Sequence, residues 1–261
     1  MLFRPHIPAP PLSDFIELLW LYEGWVQPHR QERVLPQGAM ELVIDLRDRK
    51  SAEPAVLAGA WSEFFVIETG EPQTLLGVHF RPGGAFPFLG LPAGEVHNQM
   101  VLLDDLWGAT AASVLRERLL ATATADEKFA ILEQALLTIA RGNFERSPAI
   151  ACALRELTNV PQQRSIAEVA EGLGMSQRRF IELFRAEVGL TPKLFCRVRR
   201  FSEAIRVIGQ RRQVSLSDVA YVCGYFDQAH FIHDFQSFAG MSPRAYLMHC
   251  REHLHHVPVL D

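Results

Sequence analysis

The chain is predicted to be an α+β protein in two parts. A small β-sheet or barrel with helices comes first, then an all-α domain of two helix-turn-helix units joined by a helix. Three observations predict it. Short apolar or alternating runs punctuated by Gly and Pro occupy the stretch up to Phe80. A pattern that begins at Ile166 returns at Leu216, and a period of about 50 residues marks duplicated structural units. The charge also divides. Within an overall net of −4, residues 1–160 carry about seven more acids than bases, and residues 161–261 about three more bases than acids. For 261 residues two domains are the default, cut here at 1–159 and 160–261.

Taken in order, Val34, Met40–Leu46, Ala55–Leu57, Phe64–Glu68 and Thr74–Phe80 read as strands. Helices are expected at Ala111–Ala121 and Glu127–Ala140. In the second, Phe129, Leu132, Ala135, Leu136 and Ile139 recur at helical spacing. Both apolar stripes need cover, from the sheet or from a second copy of the chain. A homodimer through this half is expected, since it would cover the stripes and double the contacts made by whatever the second part binds.

The repeat reads IAEVAEGLGMSQRRFIELFRAEVGLTP over Ile166–Pro192 and LSDVAYVCGYFDQAHFIHDFQSFAGMSP over Leu216–Pro243. Val169-Ala170 falls on Val219-Ala220 and Gly174 on Gly224. One extra residue then enters the second copy, after which Phe180 falls on Phe231, Phe184 on Phe235 and Gly189 on Gly240. Each copy is a short amphipathic helix, a glycine turn and a second helix opening on polar or charged residues. That is the layout of a motif whose second helix enters the DNA major groove.

Local chemistry marks each boundary. Ser165 and Glu168 form a capping box, and Ser176 caps the next helix. That helix turns Phe180, Leu183, Phe184 and Val188 inward and leaves Gln177, Arg178, Arg179, Glu182 and Arg185 outside. In the second copy Ser215 or Ser217 caps Leu216–Cys223, and Asp227 caps Gln228–Phe238. Gly174, Gly189 and Gly240 suit the left-handed positions that end helices, while Pro192 and Pro243 open the helices that follow.

Ordinary packing explains one such motif. Two copies joined by the helix Pro192–Gln210 are not explained that way: at ~1.5 Å per residue it spans roughly 30 Å, near one turn of B-DNA. Ser176–Arg212 holds ten basic residues against three acidic ones, the footprint of phosphate binding. Arg197, Arg199, Arg200, Arg211 and Arg212 are the candidate backbone neutralisers.

From about Ile166 onward these landmarks, with the joining RVRRFSEAIRVI, resemble the C-terminal DNA-binding domain of AraC/XylS-type transcriptional regulators. Val219-Ala220, Gly224-Tyr225, Phe235 and Gly240-Met241-Ser242-Pro243 resemble the most specific part of that family's signature. The resemblance implies a monomeric reading unit of seven helices whose two recognition helices enter successive major-groove segments. It places Arg178, Ile181 and Glu182 against bases in the first groove, and Gln228, Ala229, His230 and His233 in the second. Ile181 and Ala229 offer only apolar contacts, such as to thymine methyls. LPQGAMELVIDL and GVHFRPGGAFPFLG are similar to the N-terminal domain of a subgroup of these regulators, which implies a degenerate cupin-like domain that binds a small effector or a second subunit.

The expectation is a sequence-specific DNA-binding transcription regulator. Its partners would be double-stranded DNA, a small-molecule effector and, for an activator, RNA polymerase. The rival is an enzyme or DNA-repair protein carrying the same module. That would need a nucleophilic Cys or a His cluster in the first half, where Cys152 alone precedes the repeat. No catalytic residue, cofactor or metal is expected. His79 has Arg81 where a second ligand would stand, and His97 falls in a loop. Arg81-Pro82-Gly83-Gly84 reads as a turn before an anion cradle. The histidines from His249 to His256 read as a loose, solvated tail. Cys152, Cys196, Cys223 and Cys250 lie apart with no C-x-x-C, Cys196 and Cys223 on apolar helix faces. No apolar run approaches ~20 residues and the N-terminus lacks a signal pattern, so a cytoplasmic protein without membrane contact is expected.

Overall fold

A computed structural model describes residues 2–25, 27–47, 54–140, 142–159, 164–210, 215–249 and 253–259. The first part contributes β1 (Leu2–His6), β2 (Ile16–Trp25), β3 (Gln31–Val34), β4 (Glu41–Asp45), β5 (Ala55–Ala58), β6 (Phe65–Glu68), β7 (Gln73–Phe80) and β8 (Met100–Leu102). Three helices follow, α1 (Leu103–Trp107), α2 (Ala109–Leu120) and α3 (Ala125–Ala140). Then come α4 (Pro148–Asn159), α5 (Ile166–Gly172), α6 (Gln177–Val188), α7 (Pro192–Gln210), α8 (Leu216–Val222), α9 (Gln228–Ala239) and α10 (Pro243–His249), and last the short strand β9 (His256–Pro258). The strands pair antiparallel in two sheets, ordered β1-β2-β7-β4-β5-β8 and β6-β3-β9. The fold is α+β, with the strands before the helices except for β9.

Every strand read from the sequence is present, and β1, β2, β8 and β9 are additions. The ten-residue β2 escapes pattern reading because Leu19, Trp20 and Leu21 are buried in succession. A strand covered on both faces loses the alternation that marks a half-buried one. Trp20 sits in register with Gly77 on β7, where a Cβ would lie 2.1 Å from the indole; only glycine leaves room for it. The stripes of α2 and α3 are covered within the chain. Ala112, Leu115 and Leu119, and Phe129, Leu132, Leu136 and Ala140, all enter the common core. These residues are covered without a second copy of the chain.

Among its described residues the second part has seven helices, α4 to α10, around a core of aromatic rings. Phe180, Phe184 and Phe195 stack edge to face, as do Phe201, Phe235 and Tyr246, with centroids 5.1–5.7 Å apart. Each buried ring contributes roughly 1.5–3 kcal/mol relative to exposure. Two segments cross the expected cut at 159/160. Helix α4 lies before it yet packs on α6 and α7. Strand β9 lies at the far end of the chain yet pairs with β3. The histidine tail, expected to be loose, is therefore partly a sheet strand.

Candidate nucleic-acid interface

The repeat folds as α5–α6 and α8–α9, with α7 between. Ser165 Oγ accepts from the Glu168 N–H at 3.2 Å, and the Glu168 carboxylate accepts from the Ser165 N–H at 2.6 Å. These bonds hold the Glu168 carboxyl below its ordinary value. Ser176 Oγ accepts from the Arg179 N–H at 3.3 Å, and Asp227 Oδ1 from the His230 N–H at 2.7 Å. Ser215 holds the cap position of α8, but its hydroxyl meets that of Ser217 at 2.7 Å and bonds no backbone N–H. The turns repeat closely: Met175 N–H donates to the Ala170 carbonyl at 3.0 Å and Tyr225 N–H to the Ala220 carbonyl at 2.8 Å. The extra residue of the second copy is Phe226, inserted between Tyr225 and the cap Asp227 and 92% exposed.

Gly189 (φ 92°) and Gly240 (φ 65°) close α6 and α9 in the left-handed region. Both ends rest on the first part of the chain. A Cβ on Gly189 would lie 2.8 Å from Met40 Cε, and one on Gly240 2.2 Å from Phe64 Cε1. The N-terminal ends, where recognition helices meet bases, lie a helix length away, about 18 Å at ~1.5 Å per residue.

At those ends Gln177, Arg178, Arg179 and Glu182 are exposed on α6, with Ile181 half-buried. On α9 Gln228, Ala229 and His233 are exposed and His230 is half-buried. Arg178 Nε donates to Glu182 Oε1 at 2.9 Å one turn on, with Arg178 90% exposed. So exposed a pair gains little, and the guanidinium exchanges it for another acceptor at small cost. His230 sits edge-on to Tyr225, and its Nε2 lies 4.0 Å from Asp234 Oδ2.

Four of the other predicted arginines, Arg185, Arg197, Arg199 and Arg200, contact protein. Arg185 is exposed, but its stem packs against Gly94 in the short turn Ala93–Val96. Arg197 donates to the buried Asp234 at 2.7 Å and lies over the Phe238 ring at 5.1 Å. Arg199 turns to the first part of the chain: it donates to the Gln37 carbonyl at 3.5 Å, and its Nε is buried without a partner. Arg200 donates to the Gly224 carbonyl at 3.3 Å and lies 4.8 Å over the Tyr225 ring. Arg211 and Arg212 fall outside the described residues.

A groove between the two units is lined by Arg164, Lys193, Cys196, Arg197, Arg200 and His230. Arg164 and Lys193 were not singled out in the sequence. Their only signal is position, a basic residue beside a helix start. Arg164 is engaged with Glu156 (2.8 Å) and the Glu168 carbonyl (2.7 Å), whereas Lys193 is exposed. Burial raises the Cys223 thiol to about 11, in keeping with a small core residue.

In the first part, Glu41 accepts from Trp20 Nε1 at 2.8 Å, and His79 Nδ1 stands 3.9 Å from the same oxygen. His97 Nε2 meets Ser62 Oγ at 2.9 Å, and burial, then the charge of Arg185, lowers its pKa. Gly84 N–H closes on the Arg81 carbonyl at 2.7 Å, a turn. Among the described residues no group of three or more His, Cys, Asp or Glu is placed to hold a metal ion. Nor, among them, is any helix long and apolar enough to cross a membrane.

Two matched helix-turn-helix units on one connecting helix define a tandem helix-turn-helix domain. Residues 169–249 match a family described as a helix-turn-helix domain, and residues 4–102 one described as a domain of unknown function (DUF6597). The chain is 35% identical over 82 residues to the probable transcriptional regulator LumQ of Photobacterium leiognathi, covering 31% of this chain and 33% of that protein. It is 32% identical over 81 residues to an uncharacterized HTH-type transcriptional regulator of Haemophilus influenzae, covering 31% and 27%. The match thus spans a third or less of these curated relatives. Among solved structures, ToxT from Vibrio cholerae aligns over 88% of this chain and 93% of its own at 12% identity and a TM-score of 0.45. A DNA-binding transcriptional dual regulator from Escherichia coli K-12 aligns over 38% and 86% at 24% identity and a TM-score of 0.32. Residues 169–249 thus form a helix-turn-helix domain of the AraC type.

Proposed function

We propose that this protein is a sequence-specific DNA-binding transcription regulator, without enzymatic activity, that sets the N-terminal ends of α6 and α9 into successive major-groove segments. The duplication carries the reading. Two units with equivalent turns and left-handed glycine ends are held by the 19-residue α7, which spans roughly 28 Å at ~1.5 Å per residue, close to one turn of B-DNA. Gln177, Arg178 and Glu182 read bases in the first groove, with Ile181 beside them; Gln228, Ala229, His230 and His233 do so in the second. Arg179 and Lys193 neutralise phosphates. Arg185, Arg199 and Arg200 join them only after leaving their present protein contacts.

The first part of the chain senses a small effector, a role supported by its direct packing on both recognition-helix ends. An activator would also meet RNA polymerase. Selection from random duplexes tests the reading: the enriched motif should hold two short blocks about one helical turn apart, protected on one face in footprints. Failure to enrich any sequence, at low salt and with candidate metabolites, overturns it. Sedimentation of the full chain decides the homodimer.

A further inference from the structure

The C-terminal segment does more than end the domain. Val257 is fully buried between the domains' elements, and β9 pairs with β3 in the register Val34–His256, Arg33–Val257 and Glu32–Pro258. The pairing extends on both sides, with the Leu35 N–H on the His255 carbonyl (2.8 Å) and the Val259 N–H on the Gln31 carbonyl (2.9 Å). Side chains secure it from both domains. The buried Glu32 takes His256 Nδ1 on one oxygen (3.0 Å) and His29 Nε2 on the other (2.7 Å). Tyr246 on α10 donates to the Leu254 carbonyl at 2.7 Å, and Ser202 on α7 meets His255 at 3.3 Å.

The chain leaving β3 then runs directly to Gln37, whose carbonyl holds Arg199, and to Gly38, which lies against Arg199 and Val198. The strand that receives the tail therefore leads into the loop that withholds a predicted phosphate contact. That contact leaves the Arg199 Nε buried and unpaired, an arrangement a phosphate oxygen would improve.

We propose that His253–Val259 is an autoinhibitory clasp: by adding a strand to β3 it fixes the Gln37 loop on Arg199, and its release frees Arg199 for the DNA backbone. This rests on the regulator reading. It makes the N-terminal sheet a switch for DNA affinity, thrown by whatever displaces β9, through strand exchange at an edge.

The test uses the full chain with Val257→Asp, and separately the milder Glu32→Gln, each confirmed folded by circular dichroism. Amide exchange at Leu35 should speed at least about tenfold in V257D. Affinity for a nonspecific duplex at about 0.1 M salt should rise about five- to tenfold, and the log–log salt slope should steepen by about 0.9, one phosphate. Adding Arg199→Ala to V257D should remove that gain. A clasp opened without gain, or a gain that survives R199A, overturns the inhibitory role. Unchanged Leu35 protection in both variants overturns the clasp itself. Should wild type and variants all fail to bind duplex, the regulator reading and the inhibition fall together, while the exchange data still decide whether β9 is a clasp. If V257D does not fold, E32Q carries the same readouts with smaller shifts.

Discussion

In α6 the position one residue before the buried Phe184 is Leu183, packed against the core; in α9 the equivalent position, before Phe235, is Asp234, buried and held by Arg197 from α7. The outer faces differ as much. Where α6 shows Gln177, Arg178 and Arg179, α9 shows Gln228, Ala229 and His230, and the second unit also exposes Tyr221, Val222 and Phe226. Only the first unit has a capping box. What the copies share is what the backbone requires: the turn glycine, a cap on the second helix, the phenylalanine stripe and a left-handed end. Everything else was free to diverge. The first unit carries the more cationic outer face and is held by local bonds; the second takes its buried carboxylate's partner from a neighbouring helix.

The largest test of that contrast is Arg197→Ala. It leaves the Asp234 carboxylate buried without its cation, which costs about 3 kcal/mol, the low end of the usual range because Arg197 is itself a third exposed. Urea denaturation measures it, and the pair Arg197→Met with Asp234→Leu, which copies the apolar solution of the first unit, should recover most of the loss. A change below about 0.5 kcal/mol in R197A would remove the claim that the second unit leans on α7.

Acid should reach the second unit first. Burial, then the charge of His256, holds the His255 imidazole down to about 4. The unfolded chain therefore takes this proton first as pH falls. Stability is complete above about 6.5 and declines toward 4, by about 2 kcal/mol at pH 5 at 1.36 kcal/mol per unit. Since His255 packs on α7 and its segment on α10, amide exchange on α9 and α10 should rise before that on α5 and α6. His255→Gln should flatten the pH dependence of melting; an equal dependence in that variant places the sensitivity elsewhere.

Base reading separates the units next. Arg178→Ala should relax one base position in the first block only, at roughly 1–3 kcal/mol against the best site, with the second block intact. An unchanged selected motif means that Arg178 reads no base. Smallest is the pair of serines. Ser165→Ala should cost about 1 kcal/mol and Ser215→Ala only a few tenths, because only the first accepts a backbone N–H. Equal costs would show that the missing bond in the second unit does not matter.

Periodicity and capping are local, and so the helices of both units, their turns, and the glycine ends were legible residue by residue. So were the strands with alternation, such as Glu41–Asp45, and the core positions of Cys196 and Cys223. The partners of α7's arginines were not legible, since a basic residue on a helix reads alike whether it faces water, DNA or a carbonyl.

By itself the sequence determined the duplication and the chemistry at each helix end, because those depend on residues within one or two turns of each other. Tertiary structure alone decided which partner each side chain took across long separations: Arg197 finding Asp234, Arg199 finding Gln37, and Glu32 finding His256. It also decided that Leu19–Leu21 of β2 would be covered on both faces and that part of a histidine-rich end would become a strand. The physical reason is the same in each case. Strand pairing and buried ion pairs are formed between segments that share no local pattern, so their energy is fixed only when the chain has folded and brought them together.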